Sequence, residues 1–218
     1  TKKYYMKVIG EIMKSSLLIF FISLIYYDII KARPISYPGG LTLMLMNNSM
    51  KNSLHAHYSP TTKTSLGYKF EYWRGNEFSL NMIQMNNLIK RWNKPDSQAN
   101  FYMFSGIGKK IQGTHDTILH IGSQVDWETR RLYTQFEVHS FLSQNTTHFL
   151  SARFGVAPYL SDYDALHSWI IIQISDKITK KNHDVTVMPV VRLFIDNYLA
   201  EIGSNFANKH MVTLMFHF

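Results

Sequence analysis

The chain has 218 residues, with 23 Lys plus Arg against 15 Asp plus Glu, a formal charge of +8, and no cysteine. Zero cysteines fits export to an oxidising compartment, where unpaired thiols are a liability, and is also compatible with the cytosol. The basic residues alternate with acids along the chain and no Lys/Arg run longer than a pair occurs after residue 32, which argues against a nucleic-acid partner.

The first 32 residues do not read as part of the folded protein. Lys2, Lys3, Lys7 and Lys14 precede an apolar run from Leu17 to Tyr27, and Ile30-Lys31-Ala32 then offers a small residue before a cleavage point. This is the layout of a secretory signal peptide, predicted as a helix over residues 1–32, with a membrane anchor or buried helix as the alternative. The run is shorter than the roughly 20 residues a transmembrane helix needs. Without it, residues 33–218 form one domain with 18 basic and 13 acidic residues, a balance of +5.

From Gly39 onward there is no helical period. Alternating apolar and polar residues predict strands at Leu41–Met46, Ser53–Ser59, Thr64–Trp73, Phe78–Trp92, Gln98–Gly108 and Thr117–Trp127. The pattern continues at Arg131–Leu142, Thr147–Tyr159, His167–Ile178, Asp184–Phe194, Tyr198–Phe206 and His210–Phe218. Between them, Asn47-Asn48, Ser59-Pro60-Thr61, Arg74-Gly75-Asn76, Asn93-Lys94-Pro95-Asp96, Ser161-Asp162, Lys181-Asn182 and Asp196-Asn197 supply tight-turn residues. Short connections imply an antiparallel meander, and a meander of twelve strands either leaves two edges or closes. Two places fit poorly: the phase slips around Asn86-Asn87, which predicts a bulge, and Pro158 and Pro189 fall inside strands.

One face carries Leu66, Tyr68, Phe70 and Tyr72, then Leu119, Ile121, Val125 and Trp127, then Ile170, Ile172 and Ile174. The opposite face carries most of the charge. A soluble sandwich or lipocalin-like barrel would bury the apolar face, whereas a membrane barrel would turn it outward. The even strand count favours the membrane barrel, as do aromatics at strand ends (Tyr72, Trp73, Trp92, Trp127, Trp169, Tyr198), expected as girdles. The expected fold is therefore an all-β, antiparallel, up-and-down transmembrane β-barrel of about 12 strands.

The last nine residues, His210 to Phe218, place Val212, Leu214, Phe216 and Phe218 on one face. A closing strand with a terminal Phe resembles the last strand of Gram-negative outer-membrane barrels, which implies that Phe218 is an assembly signal read by the barrel-assembly machinery. Ala32-Arg-Pro-Ile-Ser-Tyr-Pro-Gly-Gly40, His57-Tyr58-Ser-Pro-Thr61, Gly67-Tyr68-Lys-Phe-Glu-Tyr-Trp-Arg74 and Lys90-Arg-Trp-Asn-Lys-Pro-Asp-Ser-Gln-Ala-Asn100 extend that likeness. They resemble an uncharacterised proteobacterial family of exported small twelve-stranded outer-membrane barrels. The resemblance implies an outer-membrane address and lipid contact, and brings no catalytic residue.

Three constellations could carry chemistry. Lys69, Glu71, Asp126, Glu128, Arg131, Glu137, Arg153, Arg192 and Glu201 fall on the polar face and would line a narrow pore, or pair across strands and plug it. Met44 and Met46 share a face, as do His55 and His57, a donor set suited to Cu(I) or Ag(I), although Met on a strand commonly packs. His139, Ser140, Ser143, His148 and Ser151 could assemble a Ser–His pair for lipid hydrolysis or acyl transfer, if a third group orients the His. Gly-x-Ser-x-Gly, phosphate-binding Gly loops and dinucleotide-binding glycines are absent, and no cofactor is implied. The leading expectation is a non-enzymatic channel or structural envelope component with a charged lumen.

Overall fold

The computed structural model describes residues 35–74, 78–111, 116–162, 165–180 and 182–218. The predicted signal peptide lies outside the described residues.

Twelve strands run in chain order: β1 (Leu41–Asn48), β2 (Lys51–Tyr58), β3 (Thr64–Trp73), β4 (Phe78–Lys94), β5 (Ser97–Lys110) and β6 (Thr117–Thr129), then β7 (Leu132–Leu142), β8 (Thr147–Val156), β9 (His167–Thr179), β10 (His183–Ile195), β11 (Tyr198–Ser204) and β12 (His210–His217). Each strand pairs antiparallel with the next, and β1 pairs with β12 to close the barrel. The closing register runs from Thr42 opposite His217 to Asn48 opposite Met211. Leu41 and Phe218 complete it by exchanging both backbone bonds, each 2.8 Å, so the C-terminal Phe is stitched to the first strand. Tight turns at Asp196 and Asn208 take positive φ of 49° and 56°, a conformation that Asp and Asn tolerate better than most residues.

Burial decides which face points in. Ile83 and Ile202 are 58% and 60% exposed, whereas Glu71, Glu201 and Lys69 are 0%, 3% and 6% exposed. Apolar side chains stand outside and polar ones inside, the reverse of a soluble sandwich. Trp92 and Trp127 are exposed on the outer wall, as girdle residues should be. Trp73 is a correction to that expectation: it is buried inside the barrel, because β3 alternates strictly and Trp73 shares the phase of Lys69 and Glu71. Trp169 is another, packed inside against Tyr133, Ile171, Met188, Val190 and Met211.

The irregularities resolve locally. The bulge on β4 falls between Leu88 and Lys90, slightly past the predicted Asn86-Asn87. Pro158 lies beyond the end of β8, which stops at Val156. Pro189 stays within β10, but the ladder to β11 ends at Val190, so the proline sits where pairing on that side has finished.

The interior is partly filled. At the end that holds the chain terminus, Ile35 packs with Leu88, Tyr102 and Phe104. Ser36 donates its backbone N–H to Ser59 Oγ at 3.1 Å there. Toward the opposite, distal end, Leu80, Met82, Ile118 and Phe141 form a second cluster. Gly67 faces inward opposite His57, and a Cβ there would press on the Ala56 carbonyl oxygen and on the His57 ring and backbone. Neither obstacle is a flexible side-chain end. Gly67→Val is therefore expected to destabilise the barrel by about 1–3 kcal/mol, as overpacking commonly does. A lowered urea midpoint for the protein in detergent micelles is the measurement.

Candidate functional site

Strand alternation delivers charged side chains from many strands into one lumen, where they must satisfy each other. Two carboxylates organise this. Glu71 accepts from Lys51 Nζ at 2.6 Å, from Lys69 Nζ at 3.0 Å and from Trp73 Nε1 at 3.0 Å. Lys51, Lys69 and Glu71 come from neighbouring strands, Lys51 pairing in register with Trp73. Glu201 accepts from Arg192 Nε at 2.7 Å and from Arg153 at 3.0 Å. Arg192 is its direct cross-strand partner, while Arg153 reaches over from β8. The Arg192 guanidinium also lies 4.5 Å from the centre of the Tyr133 ring, a cation–π contact.

Between these two networks the side chains bond in sequence. Gln135 donates to Glu137 at 2.9 Å, Glu137 lies 3.8 Å from His139, and His139 shares a 3.0 Å bond with His120. Asp126 accepts from Asn100 at 2.7 Å and Gln124 at 3.0 Å. Asn86 donates to Ser65 at 2.9 Å and meets His57 at 3.1 Å. A central cavity of about 370 Å³ remains. The lumen is thus a bonded polar lining around a small void.

The structure sorts the expected site residues. Lys69, Asp126, Glu137, Arg153, Arg192 and Glu201 border the central cavity, and Glu71 is buried beneath the two lysines that hold it. Arg131 is a correction: it is exposed in the turn between β6 and β7, because β7 begins only at Leu132. Met44, Met46, His55 and His57 all face the same cavity. Met44 stands opposite His55 but Met46 stands opposite Ser53, and His55 has Lys69 on its other side, a cation that opposes metal binding. Among the described residues no group of three or more His, Asp or Glu is placed to hold a metal ion.

The Ser–His grouping is divided by the barrel wall. His139 and Ser151 belong to the inner face, whereas Ser140 and His148 meet directly opposite one another, Oγ to Nδ1 at 2.9 Å. Among the described residues no third side chain hydrogen-bonds His148, so the orienting group a nucleophilic serine requires is missing.

Lys51, Trp73 and Tyr133 are participants that sequence reasoning overlooked. Trp73 was findable from its phase with Glu71. Tyr133 was findable in the same way, since it alternates with Gln135 and Glu137.

Glu201 is buried and binds two partly buried guanidinium groups, so Glu201→Ala strands both. Breaking a buried pair from one side costs about 3–5 kcal/mol, and a loss of that order is expected in the urea unfolding of the micellar protein. The double variant Glu201→Ala with Arg192→Leu is expected to recover part of it.

No protein-family model matches this chain, and no curated protein does. The fold is similar to that of several solved structures, two of them of one porin. The KdgM porin in complex with disordered oligogalacturonate aligns with a TM-score of 0.53 at 10% identity, covering 82% of this chain and 99% of that one. The KdgM porin by itself aligns with a TM-score of 0.53 at 11% identity, covering 82% of this chain and 98% of that one. At these identities the likeness carries the fold, a closed porin-like barrel.

Proposed function

We propose that the chain is an outer-membrane β-barrel of a Gram-negative bacterium and acts there as a narrow channel for small hydrophilic solutes. The observation that carries this reading is the inverted polarity of a closed barrel, with apolar residues outward, bonded charges inward and a cavity inside. Only lipid gives such an outer wall a favourable surrounding, and a wall without edges satisfies its own backbone there. The likeness to the KdgM porin supports the same reading at the level of fold. Phe218, directly after β12, is the residue assigned to recognition by the barrel-assembly machinery.

The inward aromatics keep the bore small, and charges of both signs make it sensitive to solute charge. Residues 33–218, refolded in detergent and inserted in a planar bilayer, are expected to give discrete conductance steps of small amplitude. Lys69→Gln is expected to move the reversal potential in a salt gradient toward cation preference, and Arg131→Gln to leave it unchanged. A folded, inserted and silent barrel would overturn the channel reading.

Membrane placement has its own test, helped by the absence of native cysteine. Ile174 is 49% exposed on the outer wall, and its neighbour Ser175 borders the cavity. In liposomes Ile174→Cys is expected to react with a lipid-confined thiol reagent, and Ser175→Cys with a small water-soluble one. The opposite labelling pattern would sink the assignment.

A further inference from the structure

Methionine is distributed unevenly over this barrel. Of the nine methionines among the described residues, Met85 and Met103 stand on the outer wall, and Met82, Met188 and Met211 are packed into the buried clusters. Met50 lies in the turn between β1 and β2, outside the strand register. The remaining three, Met44, Met46 and Met215, border the central cavity and belong to none of those clusters. A methionine on a strand commonly packs, but these three face open space in an otherwise polar lumen.

Closure brings them together. Met44 and Met215 are direct partners across the seam between β1 and β12, and Met46 follows Met44 on the same face. Directly opposed side chains have Cβ atoms about 5 Å apart and diagonal ones about 7–8 Å, so three flexible side chains can converge their sulfurs on one point. The histidines of this wall are engaged elsewhere: His57 shares a 3.1 Å bond with Asn86, and His55 has Lys69 beside it. Across the row through Met46 the order is Glu201, Thr213, Met46, Ser53, Glu71, so a carboxylate stands two strands away on either side. Each of these carboxylates already holds two cations, which leaves neutral donors at the seam. Thr213 is 3% exposed and borders the same cavity, and its hydroxyl has no hydrogen-bond partner among the described residues.

We propose that Met44, Met46 and Met215 form a site for a soft monovalent cation, Cu(I) or Ag(I), on the lumen side of this seam. Neutral thioethers suit a soft monovalent ion, whereas hard divalent cations demand anionic or carbonyl oxygen. The site takes two sulfurs from β1 and one from β12, so it exists only once the barrel has closed. The Thr213 hydroxyl adds a polar atom beside the sulfurs. The inference goes beyond the channel reading and does not depend on conduction.

The folded protein in detergent micelles would compete for Cu(I) with a weak colorimetric chelator such as ferrozine, without oxygen or chloride. The wild type is expected to withdraw one Cu(I) per barrel, which silver nitrate displaces and excess Zn(II) does not. Met44→Leu and Met215→Leu are each expected to raise the Kd about tenfold or more, and the triple Met44→Leu, Met46→Leu, Met215→Leu variant to withdraw none. Leu conserves the volume of Met, a swap that packed interiors tolerate, and heat-dependent gel mobility verifies that each variant is a barrel. His55→Gln is expected to titrate like the wild type. X-ray absorption at the copper edge of the wild-type complex, which needs no variant to fold, is expected to show sulfur donors.

No Cu(I) withdrawn by the wild type, displacement by Zn(II), or undiminished withdrawal by the triple variant would overturn the proposal. So would loss of binding in His55→Gln, or a copper shell of nitrogen without sulfur. Because binding is read in micelles, a barrel silent in bilayers would remove the channel and leave this site standing. A conducting barrel that takes up no copper would do the reverse.

Discussion

Everything in this molecule depends on the hydrogen bonds between its first and last strands. A meander of twelve strands has two edges, and in apolar surroundings an unpaired backbone N–H or C=O costs several kcal/mol. Pairing β1 with β12 abolishes both edges, and the reciprocal bonds between Leu41 and Phe218 carry the ladder to the chain's final residue. Closure also fixes an inside. Once the sheet is curved shut, each period-two alternation becomes a choice between lumen and exterior, and neighbouring registers must agree all the way round.

The polar face is confined to a small space, and its charges cannot all be left to water. Glu71 and Glu201 each settle between two cations, and amide and imidazole groups fill the gaps between the two networks. Burying a charge is costly unless it is paired and hydrogen-bonded, so these arrangements constrain which strands lie where as much as they stabilise. At the distal mouth lysines rest on aromatic faces, and Lys177 lies opposite Asp184 on the neighbouring strand.

Much of this is legible along the chain. Strand number, meander order and the opposition of apolar and charged faces come from period two, because side chains on a strand alternate whatever the strand pairs with. The turn at Asp196-Asn197 is legible because Asp196 takes a positive φ, which Asp accepts better than most residues. Strand ends are less so. Arg131 has the phase of Gln135 and Glu137, but the strand begins one residue later and the side chain falls into a turn. Trp73 and Trp169 stand near strand ends, where girdle residues are expected, yet their phase places them inside.

The sequence by itself determined an antiparallel meander of twelve strands with one apolar and one charged face, since local alternation and turn chemistry depend only on near neighbours. Tertiary structure alone decided how those charges meet. Arg153 and Glu201 are 48 residues apart and on strands that are not adjacent, and their contact exists because the barrel's curvature brings opposite stretches of wall within a side chain's reach. The same curvature gathers Phe78 and Lys110, on the paired strands β4 and β5, with Lys177 from β9 around one mouth. Adjacency across a lumen is a property of closure, and no pattern along a single strand encodes it.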